Sequence, residues 1–212
     1  MELNKYIDHT FLKADGKKAD IDKLIAEGKE YDFMSLCINP AWIEYVSDQL
    51  KGTDVKVCTV VGFPLGAMTT EGKVFEASDA ISKGADEIDM VINIGKLKDR
   101  DLDYVVKEIK ALKETCKDKV LKVIIETALL DEEEIRLAAQ AVLDGGGDFV
   151  KTSTGFSTRG ASLEDVKIIK EVVGDKCKIK ASGGIRSHED MMAMIQAGAD
   201  RIGASAGAVL LG

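Results

Sequence analysis

The chain has 212 residues, a net charge of -8, 45 % hydrophobic and 31 % charged residues, the composition of one globular domain. The acidic balance, with no clustered basic stretch, argues against a nucleic-acid or anionic-membrane partner. No apolar run approaches the roughly 20 residues that span a bilayer, and "MELNKYIDHT" carries charges where a signal peptide needs an apolar segment, so the expected location is cytoplasmic.

In chain order, short apolar runs that read as strands covered on both faces are Lys5–His9, Phe33–Ile38, Val55–Val61, Glu87–Asn93, Leu121–Thr127, Phe149–Ser153, Lys178–Ser182 and Arg201–Ser205. Helical patterns lie between them. "TTEGKVFEASDAISKG" follows the third run, with Thr69 or Thr70 as N-cap. Asp103–Cys116 follows the fourth, with apolar Val105, Val106, Ile109 and Leu112 on one face. "DEEEIRLAAQAVLDGGG" follows the fifth, opening on acids and closing on glycines, as the helix dipole and C-cap favour. A punctuation of glycine, small residue, aspartate and apolar run recurs at Lys83–Asn93, Gly145–Thr154 and Ala197–Ser205, and more loosely at Tyr31–Asn39; it suits a tight helix-to-strand turn. Eight strands alternating with helices imply a parallel α/β fold. Polar residues end several strands rather than one switch point, which favours a single (β/α)8 TIM barrel over residues 1–212 rather than an open doubly wound sheet.

In such a barrel the strand ends build the active site. Those ends hold Asp8, Cys37 with Asn39, Asp89 with Asn93, Glu126, Lys151, Lys180 and Ser205. Side chains alternate along a strand; Asp89 is flanked by apolar Ile88 and Met90, Lys151 by Val150 and Thr152, and Lys180 by Ile179 and Ala181. The parity turns all three inward. A lysine amine with an ordinary pKa near ~10.4 is neutral in about one molecule in a few thousand at pH 7. Burial and a second cation both favour the neutral nucleophile that attacks a carbonyl, and a carboxylate beside it can carry a proton. The other reading is that each lysine forms a structural ion pair or reaches to solvent. Residue type alone does not say which lysine attacks.

A second constellation is suited to an anion. "ASGGIRSHED" sets Gly183 and Gly184 ahead of a helix starting near Ser187, "GASAGAVLL" sets Gly203 and Ser205 before the last helix, and "TSTG" places Thr154 and Gly155 after Lys151. Glycine turns let backbone N–H groups approach a phosphate; tight αβ packing also uses glycine. Arg186 either helps that phosphate or sits at the surface. Cys37, Cys58, Cys116 and Cys177 form no CxxC pair, and His9 and His188 share no ligand spacing, so neither a disulfide framework nor a metal site is expected. His9 reads as a packing residue, His188 as solvated and Cys37 as buried filler or a thiol at the mouth.

The motifs "DHTFL", "CINP", "VVGFPLG", "EIDMVINIG", "KVIIET", "FVKTSTGF" and "IKASGGIR", in this order over nearly the whole chain, resemble those of deoxyribose-phosphate aldolases. The resemblance implies a (β/α)8 barrel that reversibly cleaves 2-deoxy-D-ribose 5-phosphate to acetaldehyde and D-glyceraldehyde 3-phosphate, without metal or organic cofactor, as a homodimer or homotetramer. Matched by position, Lys151 is the Schiff-base lysine and Lys180 the second lysine that lowers its pKa. Asp89 joins Lys180 in proton transfer, Asp8 and Thr10 line the substrate site, and Gly155, Gly183, Gly184, Gly203 and Ser205 form the phosphate turns. Ala206 stands where some members carry a second serine, Phe156 where some carry a lysine, and the chain stops at Leu211–Gly212 without the terminal tyrosine of some members. The alternatives are a phosphosugar isomerase with a histidine or glutamate centre and a non-enzymatic phosphate-binding barrel.

Overall fold

A computed structural model describes residues 2–212. Eight parallel strands close in sequence order, β1 (Ile7–Phe11), β2 (Ser35–Ile38), β3 (Lys56–Val61), β4 (Glu87–Val91), β5 (Val120–Ile124), β6 (Phe149–Lys151), β7 (Lys178–Ser182) and β8 (Arg201–Ala204), with β8 pairing back onto β1. The closed order removes the open sheet from consideration. Around it run α1 (Lys18–Glu30), α2 (Ile43–Gln49), α3 (Thr70–Ser82), α4 (Ile94–Lys98), α5 (Leu102–Cys116), α6 (Glu132–Gly145), α7 (Leu163–Val173), α8 (His188–Ala197) and α9 (Gly207–Leu210). None of these helices is long and apolar enough to cross a membrane.

Each anticipated strand forms, the seventh with the expected bounds and the others with shifted ends. The first begins at Ile7 rather than Lys5, because Leu3–Tyr6 is a 3-10 turn tied down by a 2.7 Å Lys5–Asp32 ion pair. The fifth stops at Ile124, since Glu126 takes a left-handed φ of 53° and a 3-10 turn follows. Thr69 caps α3 by accepting from the Gly72 N–H. Asp131, Ser162 and Ser187 open α6, α7 and α8 with reciprocal capping boxes.

The repeated glycine–small–aspartate punctuation has a specific use. Gly146 (φ 76°) and Gly198 (φ 118°) end α6 and α8 in the left-handed region that glycine enters at least cost. The aspartate that follows then clamps the neighbouring strand: Asp86 Oδ2 accepts from the Val57 N–H, Asp148 Oδ2 from Leu121 and Asp200 Oδ2 from Ile179, at 2.8–3.1 Å. The N–H of each aspartate donates to the carbonyl of the same residue. Register is thereby set at the bottom of the barrel on alternate strands. The looser copy at Asp32 makes no such clamp and pairs with Lys5 instead.

The main core lies between barrel and helices, where outward residues such as Leu36, Ile88, Met90, Val123, Val150 and Ile179 are fully buried. A separate small apolar cluster is formed by Leu12, Cys37, Cys58 and Val60. Much of the remaining interior is charged.

One buried ion pair lies outside the barrel. Lys73 (α3) and Glu108 (α5), both without exposed surface, meet at 2.7 Å. Lys73 Nζ also donates to the Val91 carbonyl at 2.8 Å, and Glu108 Oε2 accepts from the Asn93 N–H at 3.0 Å. Burial pushes the Lys73 amine down and the Glu108 carboxyl up against their mutual attraction. The pair holds the C-terminal end of β4. Removing one partner leaves an unmatched buried charge, so Lys73→Met is expected to lower unfolding free energy by about 3–5 kcal/mol in urea titrations. The double variant Lys73→Met/Glu108→Gln recovers most of that loss, because glutamine still accepts from Asn93.

Candidate active site

Asp89 projects inward from the middle of β4, and three lysines converge on it. Its Oδ2 accepts from Lys151 Nζ at 2.8 Å and from Lys180 Nζ at 2.7 Å; its Oδ1 accepts from Lys122 Nζ at 2.9 Å and from the Cys58 thiol at 3.2 Å. Sharing Oδ2 keeps the Lys151 and Lys180 nitrogens within two hydrogen-bond lengths of one another. Parallel register explains the meeting: Lys151 is paired with Lys180 across β6–β7, and Asp89 with Lys122 across β4–β5. Asp89, Lys122 and Lys180 have no exposed surface and Lys151 retains 3 %.

The cluster continues downward. Lys122 Nζ lies 2.5 Å from Glu87 Oε2. Arg201 Nη1 donates to Asp8 Oδ1 at 2.6 Å and to Glu87 Oε2 at 3.2 Å, and Ser35 donates to Asp8 Oδ1 at 2.7 Å. Lys180 Nζ approaches Asp8 Oδ2 to 2.5 Å as an ion-pair contact without hydrogen-bond alignment. Gly203 makes room for this: a Cβ there would stand 3.0 Å from Lys180 Cε and 2.9 Å from Ser182 Cβ.

Burial alone would raise the Asp8 and Asp89 carboxyls, but the surrounding cations hold both well below the usual carboxylate range. Burial opposes the charges on Lys180 and Lys122, yet Asp8 and Asp89 around the first, and Asp89 and Glu87 around the second, outweigh it and raise both. Lys180 is therefore a firmly held ammonium matched by two carboxylates, and not a bare cation set against Lys151. Three carboxylates (Asp8, Glu87 and Asp89) face four cations (Lys122, Lys151, Lys180 and Arg201), so one cation has no carboxylate of its own. Lys151 touches Asp89 alone, through an oxygen it shares, and it is the lysine of the four that lines the cavity above.

That cavity, about 230 Å³ at the C-terminal mouth, is bounded by Lys151 and by turns after β6, β7 and β8. Of the anticipated residues, Thr10, Thr154, Gly155, Gly183, Gly184, Gly203 and Ser205 all border it. Gly155, Gly183 and Gly184 have φ of 87°, 80° and 81°, left-handed values that glycine tolerates without strain. The N–H groups of Gly155, Gly184 and Ser205 donate to no protein acceptor among the described residues. Arg186 and Ser182 also face the cavity. Thr154 borders it with its donors already engaged: both its N–H and its hydroxyl donate to the buried Glu126 carboxylate. Thr10 donates to the Asp8 carbonyl at 2.9 Å. Asp8 itself lies beneath the cavity, fully buried, and touches Lys180 from below.

Cys37 is fully buried and pairs in register with Cys58, rather than opening at the mouth, and burial raises the Cys58 thiol. Two groups of potential metal ligands, Cys37–Cys58–Asp89 and Asp8–Cys58–Glu87, have converging atoms. The Lys122 ammonium sits among them, touching Cys58, Glu87 and Asp89, so the donor set already holds a cation. Asn39 and Asn93 lie past their strands, and Asn93 caps α4. Phe156 is 57 % exposed and packs edge-on against Phe63 at 5.4 Å.

Sequence reasoning missed Lys122, Glu87 and Arg201. Lys122 carries the same signature as the other two lysines, a cation between apolar Leu121 and Val123, but it lies below the strand end that builds the mouth. Glu87 and Arg201 open their strands, away from the C-terminal ends that build the mouth.

Comparison with known proteins agrees with this architecture. Residues 3–211 match the model of the DeoC/LacD family aldolases. A deoxyribose-phosphate aldolase of Finegoldia magna is 60 % identical over 207 residues, covering 98 % of this chain and 97 % of that protein. One from Mycoplasma mobile is 57 % identical over 211 residues, covering 100 % and 97 %. Among solved structures, the tetrameric deoxyribose phosphate aldolase of Aeropyrum pernix superposes with a TM-score of 0.92 at 32 % identity, over 99 % of this chain and 89 % of that one. With a family model and relatives of this identity matching almost every residue, the chain belongs to the DeoC/LacD family of aldolases.

Proposed function

We propose that this protein cleaves 2-deoxy-D-ribose 5-phosphate reversibly to acetaldehyde and D-glyceraldehyde 3-phosphate, with Lys151 as the nucleophile of a Schiff-base mechanism. The observation that carries the reading is a single carboxylate oxygen, Asp89 Oδ2, in contact with two buried lysine amines of which one opens to a cavity. In this mechanism the neutral Lys151 amine attacks C1 of the open-chain sugar, and loss of water leaves an iminium. The C3 hydroxyl gives up its proton and the C2–C3 bond breaks. Its electrons move to the iminium nitrogen, giving glyceraldehyde 3-phosphate and an enamine. Protonation at C2 and hydrolysis of the resulting iminium release acetaldehyde and return the amine. Asp89, with Lys180 on the same oxygen, is placed to pass protons at Lys151 Nζ. The phosphate is assigned to the turns at Gly155, Gly183–Gly184 and Ser205, with Arg186 beside them.

Cavity composition favours this over a phosphosugar isomerase. Neither histidine borders the cavity, and Glu126, the carboxylate nearest Thr154, is already bonded to that residue's N–H and hydroxyl. The same reading takes the enzyme to act in the cytoplasm as a homo-oligomer.

Incubation with acetaldehyde followed by borohydride should fix a two-carbon adduct on the peptide containing Lys151. Lys151→Leu should form none and lose cleavage by about four orders of magnitude or more. An adduct confined to Lys180, or full cleavage by Lys151→Leu, would overturn the assignment. Lys180→Leu removes one of the two amines on Asp89 Oδ2, so cleavage is expected to fall by about two orders of magnitude or more; an unchanged cleavage rate would show that Lys180 takes no part in proton transfer.

A further inference from the structure

The chain's two histidines hold the two ends of one short helix. His9 projects outward from β1, on the face opposite Asp8 and Thr10, and is 2 % exposed. Its Nε2 bonds Glu27 Oε2 on α1 at 2.7 Å, and its Nδ1 accepts a long bond from the Gly207 N–H at 3.4 Å. An N–H can only donate, so Nδ1 carries no proton there and Nε2 donates to Glu27. Gly207 is seated against the ring: a Cβ on it would lie 3.0 Å from His9 Nδ1 and 2.8 Å from Phe33 Cζ. His9 and Phe33 rings pack at 5.0 Å. At the other end of α9, His188 Nδ1 donates to the Leu210 carbonyl at 2.8 Å, which corrects the expectation of a solvated side chain.

The position of α9 gives these contacts their meaning. Gly207 directly follows Ser205 and Ala206, and His188 follows the Gly183–Arg186 turn by two residues. Ser205 borders both the active-site cavity and a second cleft of about 290 Å³ lined also by His9, Thr10, Leu24 and Glu27. A turn that borders two cavities needs a fixed contact to keep its N–H groups aimed.

We propose that His9 and His188 are positioning residues that fix, through α9, the turns that bind the substrate's phosphate. This rests on the assignment of phosphate to those turns under the proposed function. Neither histidine touches the ligand. His9 sets where the Ser205–Gly207 segment sits, and His188 ties that segment to the turn after β7.

The test separates the two nitrogens of His9. Glutamine reaches the Nε2 position and keeps Glu27 but offers Gly207 no acceptor, whereas asparagine places its amide at the Nδ1 position and does offer one. Inorganic phosphate is titrated calorimetrically into the wild type, His9→Gln, His9→Asn and His188→Ala. Rates are measured in parallel on 2-deoxyribose 5-phosphate and on unphosphorylated 2-deoxyribose. Loss of one hydrogen bond corresponds to about fivefold. His9→Gln and His188→Ala should therefore weaken phosphate binding and raise KM for the phosphorylated sugar by about that factor. Their kcat, and their kcat/KM on 2-deoxyribose, should stay unchanged, and His9→Asn should return both values toward wild type. Equal losses on the two sugars, wild-type phosphate affinity in His9→Gln and His188→Ala, or no phosphate binding by the wild type would each overturn the proposal. Should His9→Gln fail to fold, His188→Ala decides the outcome from the other end of the helix. Phosphate binding with the expected pattern, but no borohydride-trapped adduct on Lys151, would instead strike the aldolase mechanism and leave the positioning role standing.

Discussion

Seven buried charged side chains packed into the middle of a barrel are the constraint on which this structure depends. Isolated, each would be costly to bury; together they are tolerable because every carboxylate oxygen of Asp89 and Glu87 faces a cation within a few ångströms. The arrangement requires closure of the sheet. Asp89 comes from β4, Lys122 from β5, Lys151 from β6, Lys180 from β7, Arg201 from β8 and Asp8 from β1, and only a closed barrel turns residues on six strands toward one point.

Much of the remaining architecture keeps those strands in register. Asp86, Asp148 and Asp200 clamp the lower ends, and Lys73–Glu108 holds the upper end of β4 just beyond Asp89. Gly203 has no side chain where Lys180 must pass. A one-residue slip in any of these strands would turn its charge outward into the apolar layer beneath the helices, so register and catalytic geometry are one requirement. The cluster also assigns unequal roles to its lysines. Lys122 and Lys180 are held as cations by two or more carboxylates, whereas Lys151 has a share of one oxygen and the cavity above it.

The candidate site was legible where strand parity and chemistry coincided. Asp89, Lys151 and Lys180 were found because each interrupts an apolar run near a strand end, and an inward charge there has few structural uses. Glycine turns at Gly155 and Gly183–Gly184 were legible for the same reason: they follow directly on the lysine-bearing strands. Parity failed lower in the barrel. Arg201 and Glu87 open their strands, and nothing local to "DRIGAS" or "DEIDM" says that Arg201 reaches Asp8 on the neighbouring β1 or meets Glu87 from across the barrel. Thr154 borders the cavity, but Glu126, 28 residues away, takes its donors.

Periodicity, punctuation and residue type thus determined, from the chain alone, the number and order of the strands, their alternation with helices, and the inward turn of Asp89, Lys151 and Lys180. These are local properties, set by backbone sterics and by burial of every second side chain. Tertiary structure alone decided that three lysines rather than two meet on Asp89, that Asp8 supports Lys180 from beneath the substrate cavity, and that His9 and His188 serve one helix. Those outcomes depend on which strands become neighbours when the barrel closes and on how far each long side chain then reaches. Both are distances between residues remote in sequence, and no local pattern encodes them.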